Sequence, residues 1–336
     1  MPSRLPDVPD IDERLTDQLL AQLGRVEQDL REAVSSSDHI VRWTARHLLD
    51  AGGKRVRPLL VLLAASLGDS SRRAVIDAAV LVELTHLASL YHDDVMDSAE
   101  TRRGTRSAHS IWGNNVAILT GDFLFARASS LSARIGPDAV RLHAETFERL
   151  CIGQLHETVG LAEGQDPFDH YLSVLSDKTA SLLALAGQLG GDLSGAPEGT
   201  GDIMRRYGEK IGVAFQLADD VLDLRSDAEV SGKTPGIDLR EGVPTMPTLL
   251  VRQRGRANPD DARTGELIRR LDGDLSTDEE LADVVRLLRE DPALAETQDL
   301  ADRTADEAIA ILEELPEGPV REALIGFTRS LVHRRR

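Results

Sequence analysis

Apolar residues recur at three- and four-residue spacing along most of the chain, the period of a helix that buries one face. The pattern predicts helices over residues 11–34, 74–97, 116–135, 139–161, 171–193 and 203–224. Glycine and proline punctuate the joints, at Gly52-Gly53, Gly68-Asp69, Gly136-Pro137, Asp166-Pro167, Gly195 to Pro197 and Gly232 to Gly236. Strand-like alternation bounded by turns is missing, so no sheet is expected. From Asn258 onward Asp, Glu and Arg alternate with Leu and Ala in shorter helices, near 260–271, 277–289, 294–315 and 319–335. These read as peripheral helices of the same body. The expectation is an all-α fold, a single large domain over residues 11–336, behind a flexible tail at 1–10 that holds three prolines. Several helices exceed 20 residues, which suits a helical bundle around a deep central cavity better than a compact four-helix unit.

Composition sharpens this reading. Hydrophobic residues make up 41% of the chain and aromatics only 3%, so the core is aliphatic. The uninterrupted apolar runs fall short of a membrane span, and the first residues do not read as a signal peptide, so no transmembrane segment and a cytoplasmic protein are expected. A net charge of −18 argues against a nucleic-acid partner. The single cysteine, Cys151, excludes an intrachain disulfide and reads as a small buried residue on a helix. Lysine is rare: Lys54, Lys178, Lys210 and Lys233 are the only four among 39 basic residues. Where arginine carries nearly all surface charge, a lysine marks a place that needs a compact ammonium.

One short element recurs, DDVMD at 93–97 and DDVLD at 219–223. On a helix Asp93 and Asp97 share a face with Asp94 beside them, and likewise Asp219, Asp220 and Asp223. Carboxylates so close repel, and both copies are embedded in apolar sequence where charge is costly. A cation resolves both problems. Oxygen ligands without cysteine or paired histidine favour Mg²⁺, which shares its shell with substrate phosphates. A lone copy reads as easily as a solvated acidic face; two copies at the ends of apolar helices do not. Basic loops accompany them: Lys54, Arg55 and Arg57 in GGKRVRP, Arg102 and Arg103 in ETRRGTR, Lys178-Thr179, and Lys233 in SGKT. Cations at a helix entrance form an anion site, so the set describes binding of magnesium diphosphates.

These segments resemble the trans-prenyl diphosphate synthase (polyprenyl synthetase) family, long-chain type, over about residues 20 to 330. GGKRVRP, ELTHLASLYHDDVMD, RRG, GNNVAILTGDFLFA, Gly153-Gln154, DKTASLL and AFQLADDVLD stand in the family's order. The resemblance implies an isoprenoid-synthase fold, usually a homodimer, and head-to-tail condensation of isopentenyl diphosphate with an allylic diphosphate (geranyl, farnesyl or geranylgeranyl). About three Mg²⁺ ions would be held by Asp93, Asp94 and Asp97 and by Asp219, Asp220 and Asp223. Arg102, Lys178, Thr179, Gln216 and Lys233 map to positions around the allylic diphosphate. Lys54, Arg57, His86 and Arg103 map to the isopentenyl diphosphate pocket. Leaving-group charge would be met by metals and cations, with catalytic weight on Asp93, Asp94, Asp97, Lys178, Asp219 and Asp220. His86 is expected as a diphosphate contact, and His92 as local support. Val243 stands where many relatives have lysine, and the closing HRRR reads as a basic tail.

Counting back from Asp93, Ser89 and Thr85 share its face and Ala88 lies alongside. One helical turn rises about 5.4 Å, near the length of a prenyl unit. Small residues there leave a path for a growing tail, which in the family goes with longer products; Phe123, Phe125 or Phe147 are candidates for its floor. The expectation is a product of seven to ten units, such as a quinone side chain, with transient membrane contact on release. The alternatives are a short-chain farnesyl or geranylgeranyl synthase, a terpene cyclase, and a non-catalytic subunit of a heteromeric synthase.

Overall fold

The structure is a computed structural model that describes residues 12–225 and 235–334. The tail at 1–10 and the loop carrying Lys233 lie outside the described residues. Two compact units divide the chain. The first comprises 1–149, 181–208 and 311–327; the second comprises 150–180, 209–310 and 328–336.

In the first unit, α1 (Glu13–Ala33), α2 (His39–Asp50), α3 (Val56–Ala65), α4 (Arg73–Met96), α5 (Ala108–Trp112) and α6 (Asn114–Ile135) follow in order, and α7 (Pro137–Val159) begins here. Asp12 and Asp38 cap α1 and α2, each side chain accepting two backbone N–H groups that the first turn leaves unpaired. The centre is α4, packed against α3, α6 and α9 (Ser181–Leu193). By length and apolarity α4 resembles a membrane span, with mean hydropathy 1.5 over its best window, although no unbroken apolar run suggested one. Yet 78% of that window is buried, so the apolarity serves packing on all sides of a core helix. A hairpin absent from the sequence expectation follows α4, with Thr101 opposite Arg106 and Arg102 opposite Thr105. Two residues per strand are too few for alternation to register.

In the second unit the predicted helix over 171–193 is interrupted. It runs as α8 (Pro167–Leu175), then a π-helical turn at Ser176–Ala180, before α9 begins. The helix α10 (Thr200–Arg225) carries the second aspartate motif. Val221, Leu224, Leu239, Val251, Leu281 and Leu288 form part of an aliphatic core that the later helices cover.

Candidate active site

The first aspartate motif closes α4, graded from exposed Asp97 through half-buried Asp93 to fully buried Asp94. Arg102, on the first hairpin strand, donates its Nε–H to Asp94 Oδ1 at 2.6 Å. The other oxygen, Oδ2, is buried with no hydrogen-bond partner. Burial pushes this carboxyl above its usual range, and Arg102 pulls it back. An unpartnered buried acceptor costs about 1–3 kcal/mol, which a bound cation removes.

The hairpin turn places Arg103 at φ 54° and Gly104 at φ 74°. Both central residues are left-handed, as a tight hairpin matching the strand twist demands. Glycine tolerates this freely; for Arg103 it costs on the order of 1 kcal/mol. Its guanidinium offsets the cost by donating to Leu48 O at 3.0 Å and to Gly52 O. The RRG turn is thereby tied to the GGKRVRP turn.

In GGKRVRP the three cations part company. Arg55 is buried at φ 50° and pairs with Glu83 at 2.8 Å and with Glu27, which makes it a structural strut. Lys54 is exposed. The Nε of Arg57 is buried without a partner, and desolvation and Arg103 lower its guanidinium to about 10, against the opposing pull of Glu83 and Asp93. His86 stands among these groups; desolvation, then Arg57, Arg103, Arg102 and Arg55, hold its imidazole well below its ordinary value and hence neutral. The guanidiniums of Arg55, Arg57, Arg102 and Arg103 thus gather around His86, and the partnerless Nε of Arg57 leaves a donor for an anion. Sequence reasoning missed Glu83, although a lone carboxylate in VLVELTHLASL was a signal.

His92 bonds Ile118 O at 3.0 Å and its ring centre lies 5.6 Å from that of Phe125. Gly121 permits this approach, since any Cβ there would collide with the imidazole. Thr85 and Ala88 are fully buried and Ser89 is partly so, its hydroxyl donating to His86 O. Thr85 Oγ1 also meets buried His143 Nε2 at 3.0 Å, a link between α4 and α7 with no local signature. Of the candidate floor residues, Phe125 and Phe147 lie 4.3 Å apart by ring centre, while Phe123 receives the Arg127 guanidinium.

In the second unit, the π-helical turn presents Lys178 and Thr179; such turns are often found at functional sites. Lys178 is ion-paired with Glu157, and Thr179 Oγ1 lies 3.4 Å from Gln216 Oε1. Gly153 lets α7 approach this turn, because a Cβ there would sit 2.6 Å from the Lys178 backbone nitrogen. Cys151 on the same helix, expected to be buried, is exposed instead. Asp220 is buried; Met246 N–H donates to its Oδ2 at 2.7 Å and the Tyr171 hydroxyl donates to the same oxygen. Burial pushes the Asp220 carboxyl up to about 8, against those two donors. Asp219 pairs with Arg334 at 2.7 Å, and that guanidinium lies 4.0 Å from the centre of the Phe215 ring. The expected basic tail is therefore folded onto the motif at Arg334. Val243 donates its N–H to Asp238 O at 2.9 Å and is half-buried, so no cation stands there.

Among the described residues, no three carboxylate, imidazole or thiol groups converge as a ready-made metal cage.

The polyprenyl synthetase family profile matches residues 38–288, and the chain belongs to that family of prenyltransferases. It is 44% identical over 316 residues to nonaprenyl diphosphate synthase of Mycobacterium tuberculosis, covering 94% of this chain and 92% of that one. It is 36% identical over 303 residues to heptaprenyl diphosphate synthase component 2 of Geobacillus stearothermophilus, covering 90% of this chain and 92% of that one. Geranylgeranyl pyrophosphate synthase of Corynebacterium glutamicum, solved with calcium and isoprenyl diphosphate, superposes at TM-score 0.85 with 40% identity, covering 97% of this chain and 99% of that one.

Proposed function

We propose that this chain is a Mg²⁺-dependent synthase that condenses isopentenyl diphosphate with an allylic diphosphate to build a long all-trans polyprenyl diphosphate. The arginine cluster beside the first motif carries the reading, because it joins a buried arginine Nε without a partner to a buried carboxylate oxygen without one. Arg57, Arg103 and Lys54 bind the diphosphate of isopentenyl diphosphate, and Arg102, Lys178, Thr179 and Gln216 bind the allylic diphosphate. Lys233 is assigned there too, on its motif alone. His86, held neutral, contributes a ring N–H to a phosphate oxygen. Asp93, Asp94 and Asp97, and Asp219, Asp220 and Asp223, are the Mg²⁺ carboxylates. Bound Mg²⁺ supplies Lewis-acid stabilisation of charge developing on the leaving diphosphate. The cationic side chains act in the same sense, fixed before the reaction and needing no reorganisation.

The long product is supported by small side chains at Ala88 and Ser89 and by a relative named for a nonaprenyl product. The relative named for geranylgeranyl diphosphate supports the shorter reading. Purified enzyme with labelled isopentenyl diphosphate, allylic primers and Mg²⁺ decides between them: products of seven or more units are expected, and farnesyl diphosphate as the dominant product refutes the long-chain reading. Ala88→Phe or Ser89→Phe shortens the products. We further infer a homodimer, supported by exposed Ile118 and Leu119 on α6; sedimentation gives twice the monomer mass and activity without a second polypeptide. The reading places this dimer in the cytoplasm.

A further inference from the structure

Tyr171 carries no role in the proposed reaction, yet it is buried and its hydroxyl donates to a motif carboxylate. It lies on α8, one helix before the turn that carries Lys178. Only 6% of the residue is exposed, and its hydroxyl donates to Asp220 Oδ2. The same oxygen accepts the N–H of Met246, the first residue of the helix Met246–Ala257, at 2.7 Å. A helix N-terminus holds unpaired N–H groups and the positive end of its dipole, so it anchors a carboxylate oxygen in a fixed direction. With a phenol on the same atom, two donors from separate elements hold Oδ2. A carboxylate so held keeps one χ rotamer and presents Oδ1 to any cation.

We propose that Tyr171 is a positioning residue of the second aspartate motif: together with the Met246 N–H it holds Asp220 Oδ2, so that Mg²⁺ is taken by Oδ1 alone. The inference rests on the reading that Asp219, Asp220 and Asp223 bind metal. Partners that orient metal ligands are typically worth about 10- to 100-fold in metal affinity or activity. The buried ring explains why phenylalanine does not suffice here: it packs equally well and leaves the acceptor short of a donor.

The test measures Mn²⁺ binding to the full chain by electron paramagnetic resonance in the presence of inorganic diphosphate. Four proteins are compared: wild type, Tyr171→Phe, Asp220→Asn, and the double variant. Tyr171→Phe keeps the ring and so the packing; melting curves are recorded beside each titration. About a tenfold loss of Mn²⁺ affinity is expected in Tyr171→Phe, with the Mg²⁺ requirement of turnover raised in step and KM for isopentenyl diphosphate unchanged. No further loss is expected when Tyr171→Phe is added to Asp220→Asn, because the hydroxyl acts only through that carboxylate. A lower melting temperature with unchanged Mn²⁺ affinity makes Tyr171 merely structural and overturns the proposal, as does an equal loss in both backgrounds. If Asp220→Asn itself binds Mn²⁺ like wild type, the metal reading of the motif fails instead.

Discussion

The two aspartate motifs differ in one residue, Met96 against Leu222, yet their central carboxylates live in different electrostatic worlds. Asp94 is met by a cation, Arg102, on a hairpin eight residues on. Asp220 is met by neutral donors, a phenol and a backbone amide, and burial carries its carboxyl to about 8. One central carboxylate is held by charge and the other by dipoles. A repeated string of residues therefore states which atoms are available, and the neighbours decide what proton and partner each atom keeps.

The comparison breaks first on turnover. Asp94→Ala and Asp220→Ala are each expected to lower kcat by at least about 10²-fold, the scale of losing one preorganised electrostatic element. Steady-state assays at saturating Mg²⁺ check this, and full activity in either variant removes that motif from the mechanism.

Stability separates the two regions next. Arg55 pairs with Glu83 and Glu27 in the first unit, so Glu83→Gln leaves the buried guanidinium to Glu27 alone and costs about 2 kcal/mol. Removing only the Tyr171 hydroxyl costs about 1 kcal/mol. Denaturant unfolding ranks them, and equal losses would mean the charged framework is no more demanding than the neutral one.

Protonation sharpens the contrast further. With a folded value near 8 against an ordinary 3.8, metal-free Asp220 keeps a proton between those pH values that the unfolded chain has lost. Its contribution to metal-free stability therefore falls as pH rises through that window. Metal binding must expel this proton, so affinity rises with pH up to about 8 and levels off above it. Calorimetry at pH 7 in buffers of different ionisation enthalpy should show up to one proton released, and none in Asp220→Asn.

The smallest effect concerns Arg334. Its pair with Asp219 is partly exposed and worth about 0.5–1 kcal/mol. Arg334→Gln is expected to tighten Mg²⁺ binding two- to fivefold in the absence of substrate. Weaker binding would show that the guanidinium assists the ligand instead of competing with the ion.

Most of the long helices, the two acidic motifs, the basic turns and the family resemblance were legible in the residue order, because each is written within a few turns of one segment. The helices His39–Asp50, Val56–Ala65 and Met246–Ala257 were not among the ranges expected. Periodicity of three to four residues shows which face is buried, and DDxxD spacing shows which oxygens share it. What tertiary structure alone decided is partnership. Arg55 and Arg57 sit two residues apart, yet one is a strut on Glu27 and Glu83 while the other keeps an unpartnered Nε. Arg334 reaches Asp219 across 115 residues and Tyr171 reaches Asp220 across 49, and no local pattern encodes either. Charge and hydrogen bonding are settled by what comes within about 3 Å in space, and the chain brings those atoms together only once it is folded.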